Sequence, residues 1–311
     1  MKHNGPGGDE IRVHPLPVVL ILVIRTLERR IMESIIAEKC RLDYGPVGIM
    51  WSDTKPDDSL QLKKGANLCI MYLFAQVVTN RRTAAFDRTT SGCPGAVAGL
   101  GFGTGYPDAF GGAGIEFMSC FFSKGEKSSN NPKKYSAVVN HVPEREREKF
   151  LAGERFHESP EKAARWMEHD LPKTDVREHY VLFAPLEGVH SPEKPVVVVF
   201  VADALQLSGL VTLAGAVIEG IDPVIVPPGA ACQQIGTYAY EQGRSDKPRA
   251  VLGYTDLSAR YSIGHIIDNR YLTLAVPYSL YSRMEKEAVD GVFDGPLWRK
   301  LMEKKVKKQL C

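Results

Sequence analysis

The chain of 311 residues is long enough to bury a full hydrophobic core, and its hydrophobic fraction of 44% and charged fraction of 24% are those of an ordinary globular protein. This composition excludes disordered, collagen-like and coiled-coil classes. Lys and Arg number 39 against 37 Asp and Glu, and the net charge of +2 is too weak a field to indicate nucleic acid or an anionic membrane as a partner.

The N-terminal segment and the cysteines indicate the cellular compartment of the protein. Residues 15–24 (PLPVVLILVI) are too short to span a bilayer and are followed by charged residues, not by a small-residue cleavage site. We expect residues 1–31 to be an extension or a mis-called start, with the domain proper opening at Met32. Six scattered cysteines are too few for a disulfide framework in a chain this long, so we expect reduced thiols and a cytoplasmic protein.

Residues 32–140 are predicted to form a first lobe. Residues 47–51 (VGIMW) have the pattern of a buried strand, and residues 68–78 (LCIMYLFAQVV) that of a buried helix with Cys69 in its first turn. Glycine density over residues 89–114 predicts tight turns, and the polar run 123–134 predicts a solvated loop.

Residues 141–311 are predicted to form a second lobe, packed intimately on the first. The alternating charges of residues 143–150 predict an exposed helix with a solvated face, and a second helix is predicted to start at Ser159 and Pro160. Strands and helices then alternate, which predicts an α/β (or α+β) fold with a layered sheet covered by helices. The predicted elements are strands 180–186, 195–201 and 271–276 and helices 204–218 and 277–287. Residues 196–201 are apolar on both faces, which predicts an interior strand with the following helix packed on it.

The turn around Cys93 has the most unusual composition in the chain. The run SGCPG at residues 91–95 is followed by Gly99, Gly101 and Gly103. A thiol between glycines and before proline lies on a fixed turn where backbone N–H groups can lower its pKa, and the arrangement resembles the Cys-Pro ends of iron–sulfur motifs. The simpler interpretation is a small buried hydrophobe in a crowded turn. We predict that Cys93 lies at the wall of the principal cleft.

Cys69 and Cys232 also lie at apparent helix starts, where a thiolate would be stabilised. Together with Cys93 they are what an iron–sulfur cluster or another thiophilic metal held from distant segments would need. Cys120, in the apolar run MSCFF, is the predicted fourth ligand, whereas Cys40 and Cys311 are poorer candidates. The first hypothesis is therefore a redox or metal-binding protein, with a redox partner or a small molecule as its partner.

The second hypothesis is a metal-free small-molecule-binding protein or enzyme. Backbone amides of residues 95–105, including Gly95, Gly99, Gly101 and Gly103, would cradle the ligand, and Arg244 and Arg260 would meet an anionic group. The sequence contains no P-loop, zincin helix, paired CxxC or G-x-S-x-G motif, so no reaction is indicated. In a third interpretation, the glycines are packing devices and the cysteines are inert.

Five segments resemble an archaeal and bacterial family called domain of unknown function 169, with a likeness that covers Met32 to Ala288. They are the Leu68–Cys69 helix start, SGCPGAVAGLGFG, VVVVFVAD, GAACQQIGTYAYEQGR and LTLAVPYSLYSRM. The resemblance implies a fold and notable positions, not a reaction: members carry cysteines that match Cys69, Cys93 and Cys232. Two departures are Ala96, where a second glycine is frequent, and Tyr254, where many members have a further cysteine.

Overall fold

A computed structural model describes residues 34–63, 68–89, 93–103, 105–107, 114–189 and 194–309. The predicted extension at residues 1–31 and the terminal Cys311 lie outside these ranges. Of the helices within them, none combines the length and apolarity needed to cross a bilayer.

A seven-stranded mixed sheet forms the centre of the molecule, with the strand order β2-β3-β1-β4-β7-β6-β5. Neighbouring strands are antiparallel except for β5 and β6, which are parallel. The strands are β1 (Val47–Ser52), β2 (Ala84–Asp87), β3 (Tyr180–Pro185), β4 (Val197–Ala202), β5 (Val224–Ile225), β6 (Ala250–Gly253) and β7 (Leu272–Pro277). The predicted α/β class with a helix-covered sheet is confirmed, and β4, buried at every residue, is the predicted interior strand.

Helices cover the sheet and extend beyond it. Their bounds are α1 (Ile35–Lys39), α2 (Met71–Asn80), α3 (Pro94–Gly99), α4 (Gly114–Phe122), α5 (Pro132–Val139), α6 (Glu144–Ala152), α7 (Pro160–Arg165), α8 (Ala204–Val217), α9 (Ala231–Ile235), α10 (Thr237–Gly243), α11 (Leu257–Ile263), α12 (Tyr278–Glu287) and α13 (Pro296–Gln309). Side-chain caps fix several starts: Ser159 Oγ accepts from the Lys162 amide at 3.3 Å before α7, as predicted. Asp203 and Gln206 form a capping box at α8.

The two faces of β4 belong to different hydrophobic clusters. Val197, Val199 and Val201 pack in the cluster that includes α2 and Phe183 of β3. The intervening residues Val198, Phe200 and Ala202 pack against α8 and α12 on the other face. Strand side chains alternate between faces, so a run apolar at every position requires cover on both. The prediction that the helix after this strand packs on it is confirmed.

A third cluster, the helical cluster, is built from α4 to α6 and the turn that follows α7, with Ala98 of α3 and Tyr106. Its rings stack closely: Phe117 lies 4.7 Å from Tyr135, and Phe121 lies 4.2 Å from Phe150, between centroids. The predicted solvated loop 123–134 instead contains a 3₁₀ turn (Gly125–Ser128) and the first residues of α5. Asn131 caps α5 by accepting from the Lys134 amide at 3.1 Å, a start signal that the polar composition obscured.

The division into two lobes at residue 140 stays a prediction. The sheet takes β1 and β2 from residues 32–140 and the other strands from residues 141–311. The helical cluster likewise draws on both sides of residue 140.

Candidate functional site

A cavity of about 910 Å³ lies between the helical cluster and the starts of α2, α3, α9 and α11. One side consists of aromatic and apolar side chains of the helical cluster, among them Phe121, Phe150 and Trp166. The opposite side consists of loop ends and first helical turns. Ligand sites in proteins have this size and this mixture of apolar walls with a few polar groups.

Three thiols from separate segments line this cavity: Cys69, Cys93 and Cys232. Cys69 lies two residues before α2, Cys93 is the residue that caps α3 ahead of Pro94, and Cys232 is in the first turn of α9. The prediction that Cys93 lies at the wall of the principal cleft is confirmed.

Glycines in α3 allow it to pack against α9 at backbone contact. A Cβ atom on Gly99 would lie 2.8 Å from the Gln233 amide nitrogen and 2.9 Å from Cys232 Sγ. The Cys232 thiol donates to the Gly95 carbonyl at 3.2 Å, and a Cβ atom on Gly95 would lie 3.7 Å from Cys93 Sγ. Gly95 thus lies between two of the three thiols.

Burial controls the protonation of these thiols. It raises the pKa of Cys69, Cys93 and Cys232, and the charge of Cys93 raises the pKa of the other two further. Backbone N–H groups lower the pKa of each thiol. They come from Met71 at Cys69, from Gly95 and Ala96 at Cys93, and from Gln233 at Cys232. The prediction that these helix starts lower the thiol pKa is therefore wrong in its net sign, because desolvation outweighs the N–H groups.

Two carboxyl groups lie beside the thiols. Asp256 caps α11 by accepting from the Ser258 amide at 2.8 Å and the Ala259 amide at 3.3 Å, and its other oxygen accepts from the Ala231 amide at 3.1 Å. The Ser258 hydroxyl donates to Glu154 Oε1. Burial raises the pKa of both carboxyls, and with the added charge of Asp256 it raises the pKa of Glu154 to about 7.

Lys149 of α6 completes the polar part of the cavity. Its ammonium group pairs with Glu146 at 3.1 Å, approaches Ser258 Oγ at 3.4 Å, and lies 5.5 Å from the Phe150 ring centroid. Lys149 and Glu146 line the cavity, so the prediction that the charges of this helix form only a solvated face is corrected. The available signal was the buried Phe150 next to Lys149, which shows which side of the helix faces inward.

The fourth predicted metal ligand is not brought to the others. Cys120 is buried within the helical cluster. Burial raises the pKa of its thiol, and the charge of Glu116 raises it further. All five cysteines in the described part of the chain are thiols, and Cys40 lies in the other face's cluster, 3.5 Å from the Gln206 carbonyl. Within the described residues, no group of three or more His, Cys, Asp or Glu side chains has the spacing of ligands to a metal ion.

The predicted glycine cradle is divided between two roles. Gly95 lines the cavity, whereas Gly99 serves the packing of α3 on α9. Gly101 and Gly103 have φ of +84° and pair with residues 174–176: the Gly101 carbonyl accepts from the Val176 amide at 2.7 Å, and the Gly103 amide donates to the Thr174 carbonyl at 3.0 Å. A left-handed backbone at these two positions explains glycine without a ligand.

The two predicted anion-binding arginines are engaged elsewhere. Arg260 donates to the Asn269 and Tyr271 carbonyls at 2.7 and 3.1 Å and lies over the Tyr254 ring. Arg244 lies 3.6 Å from Glu241 and over the Tyr240 ring, away from the cavity wall.

The description of a known family fits this chain. A family model described as DUF169, Uncharacterised ArCR, matches residues 35–287. The chain belongs to this family. No curated protein and no solved structure matches it. Tyr254 stands at the position where the resemblance implies a cysteine in many members, and it is buried with φ of +61°. Burial is the main cause that raises the pKa of its hydroxyl, and the charge of Cys69 raises it further.

Proposed function

We propose that the protein binds an iron–sulfur cluster in the cavity through Cys69, Cys93 and Cys232. The observation that carries the proposal is the meeting of three thiols from separate segments at one cavity, each of them faced by backbone N–H groups. Thiolates are the usual protein ligands of iron–sulfur clusters, and hydrogen bonds to the sulfurs tune such clusters.

A four-iron cluster and a single metal ion differ in the spacing that they require of their thiolates. With metal–sulfur bonds near 2.3 Å, thiolates on one tetrahedral ion lie roughly 4 Å apart. A four-iron cluster accepts thiolates that are farther apart, roughly 6 to 7 Å. Among the described residues, no three His, Cys, Asp or Glu side chains form a site for a single metal ion, whereas the charges of Cys69 and Cys93 both raise the pKa of Cys232.

Charge sets a condition on iron binding at this place, because the raised pKa values of the thiols oppose the loss of their protons. Burial keeps the thiols protonated at neutral pH, so three neutral groups occupy the cavity wall in the protein alone. Binding requires that the thiols release their protons, and the iron charge compensates the thiolates in a site that water does not stabilise. A bound cluster supplies electron transfer or Lewis-acid chemistry to whatever else occupies the cavity.

A metal-free ligand site in the same cavity is the second candidate, favoured by the cavity's volume of about 910 Å³ and its aromatic walls. The buried carboxyls Glu154 and Asp256 oppose the anionic ligand that the glycine-cradle hypothesis assumes.

The test is anaerobic reconstitution with iron and sulfide, followed by iron analysis and a visible absorption spectrum. Single Ser substitutions at Cys69, Cys93 and Cys232 should each lower bound iron and bleach the visible band, because each removes one of the three sulfur ligands. Cys120→Ser and Cys40→Ser are matched controls, since both thiols are buried away from the cavity, and they should leave iron content unchanged. Iron content that is the same in all five variants, or absent from the wild-type protein, would overturn the proposal and leave the metal-free site.

A further inference from the structure

We propose that the part of the cavity around Glu154 and Asp256 binds a small organic ammonium ion with an apolar body. The inference rests on the proposed function only in that the ligand shares the cavity with the thiols; the residues that recognise it are different ones.

The first observation is an excess of carboxyl groups over cations at this wall. Among the described side chains, the charge of Lys149 lowers the pKa of both Glu154 and Asp256, but its ammonium group pairs with a third carboxyl, Glu146, at 3.1 Å. Asp256 is held by three backbone amides and Glu154 by one hydroxyl, all of them neutral donors. Buried carboxylates are normally paired with a cation, so this wall is short of positive charge.

The second observation is the aromatic surface next to these carboxyls. The Glu154 amide donates to the Phe121 carbonyl at 2.8 Å, which fixes the acid beside this wall. The Lys149 ammonium already lies 5.9 Å from the Phe121 ring centroid and 5.5 Å from that of Phe150. Phe121 and Phe150 thus already contact the protein's own ammonium group, as ring quadrupoles favour, and a ligand cation would lie beside it.

The wall continues away from Lys149 as a set of edge-to-face rings. Phe122 and Phe156 lie 5.7 and 5.8 Å from Trp166, between centroids, and all three rings line the cavity. The apolar body of a ligand fits against these rings, while its charged end meets the carboxyls. A cationic ligand would offset the excess of carboxyl groups over Lys149, whereas an anionic ligand would be repelled by it.

The ligand's identity is unknown, so the probes are three compounds of one shape and different charge: phenethylammonium, 2-phenylethanol and 3-phenylpropionate. Binding to the full-length protein is measured by calorimetry at about pH 8, where Glu154, with a pKa of about 7, is ionised. Phenethylammonium should bind at least about tenfold more tightly than the alcohol, the ratio that one charge-assisted hydrogen bond supplies. The carboxylate should bind most weakly.

The variant Glu154→Gln should reduce phenethylammonium affinity to that of the alcohol. Glu161→Gln is the matched control, because Glu161 is a surface carboxyl on α7. Equal affinity for the three probes, or an unchanged preference in Glu154→Gln, would overturn the inference. Measurement in Cys93→Ser separates it from the cluster proposal: the charge preference should persist there, whereas loss of iron alone bears on the cluster.

Discussion

Glu154 and Asp256 are both buried beside the cavity, and Asp256 makes Glu154 harder to ionise. Burial is the larger cause for both, and the charge of Asp256 adds to it at Glu154. A carboxyl whose pKa is higher in the folded than in the unfolded state holds its proton more tightly when folded. Stability is therefore highest where both states are protonated, and it falls as the pH rises from about 4.3, the unfolded value, to the folded value of about 7.

This predicts the effect of Glu154→Gln on stability. Gln resembles the protonated acid, so the variant should match the wild type near pH 4 and exceed it near pH 8, by about 2 to 4 kcal/mol in the free energy of unfolding. Urea denaturation of both proteins at the two pH values measures the difference, and comparison with the variant cancels the titration of Asp256 and the thiols. A constant difference at both pH values would mean that Glu154 does not titrate between them.

The same residues show what the sequence can and cannot predict about a site. Cys69, Cys93 and Cys232 were identifiable because each carries a local signal of a helix start or a glycine turn. Glu154 and Asp256 were not, because their closeness depends on packing across about a hundred positions of the chain, joined through Ser258. Cys120 is as buried as its apolar sequence suggests, but it is not among the residues that line the cavity, and the sequence could not show this because an apolar helix can pack in any cluster.

The contact between α3 and α9 positions the thiols relative to each other. Gly99 meets the first turn of α9, and a Cβ atom on Gly236 would lie 2.1 Å from the Gly99 carbonyl oxygen. No side chain fits between these two backbones. The glycine run was therefore informative as a predictor of close approach, whereas its interpretation as an anion cradle failed at Gly99, because sequence alone does not say which group approaches the glycine.

Gly99→Ala should separate the two helices. The added methyl group would lie 2.8 Å from the Gln233 backbone nitrogen, which cannot move without shifting α9. We expect destabilisation of about 1 to 3 kcal/mol and a loss of iron on reconstitution, since Cys232 moves with its helix.

Gly95→Ala on the same helix is the control. Its methyl group would make only ordinary contacts, 3.6 Å or more from Tyr106, Cys93 and Ala230, so stability should change by less than about 1 kcal/mol. Thermal denaturation of both variants and iron analysis of Gly99→Ala measure these effects. If Gly99→Ala is as stable as Gly95→Ala and binds as much iron as the wild type, the close approach at Gly99 does not position Cys232.

The layered sheet was the most predictable feature of the whole molecule. β4 and α8 followed from apolar runs of strand and helix length, with bounds that shifted by one or two residues. The short β2, β5 and β6 were missed, because runs of two to four residues carry little periodicity. The mainly antiparallel order was also not predictable, since local patterns do not fix which strands pair.

A group bound by all three thiols would join the start of α2 to α3 and to the first turn of α9, two helices that already pack at backbone contact. Binding to the folded state alone stabilises it, by about 2.7 kcal/mol at a hundredfold excess over the dissociation constant. Reconstituted protein should therefore melt at a higher temperature than iron-free protein, and amide hydrogen exchange should slow together in residues 68–72, 93–99 and 231–235. Amides of α8 and α12, which pack on the opposite face of the sheet, should change less and serve as the internal reference.

Cys93→Ser treated in the same way should show neither effect, because one of the three attachments is gone. Slower exchange in one segment only, or equal protection in Cys93→Ser, would mean that iron binds to this protein without bridging the three segments.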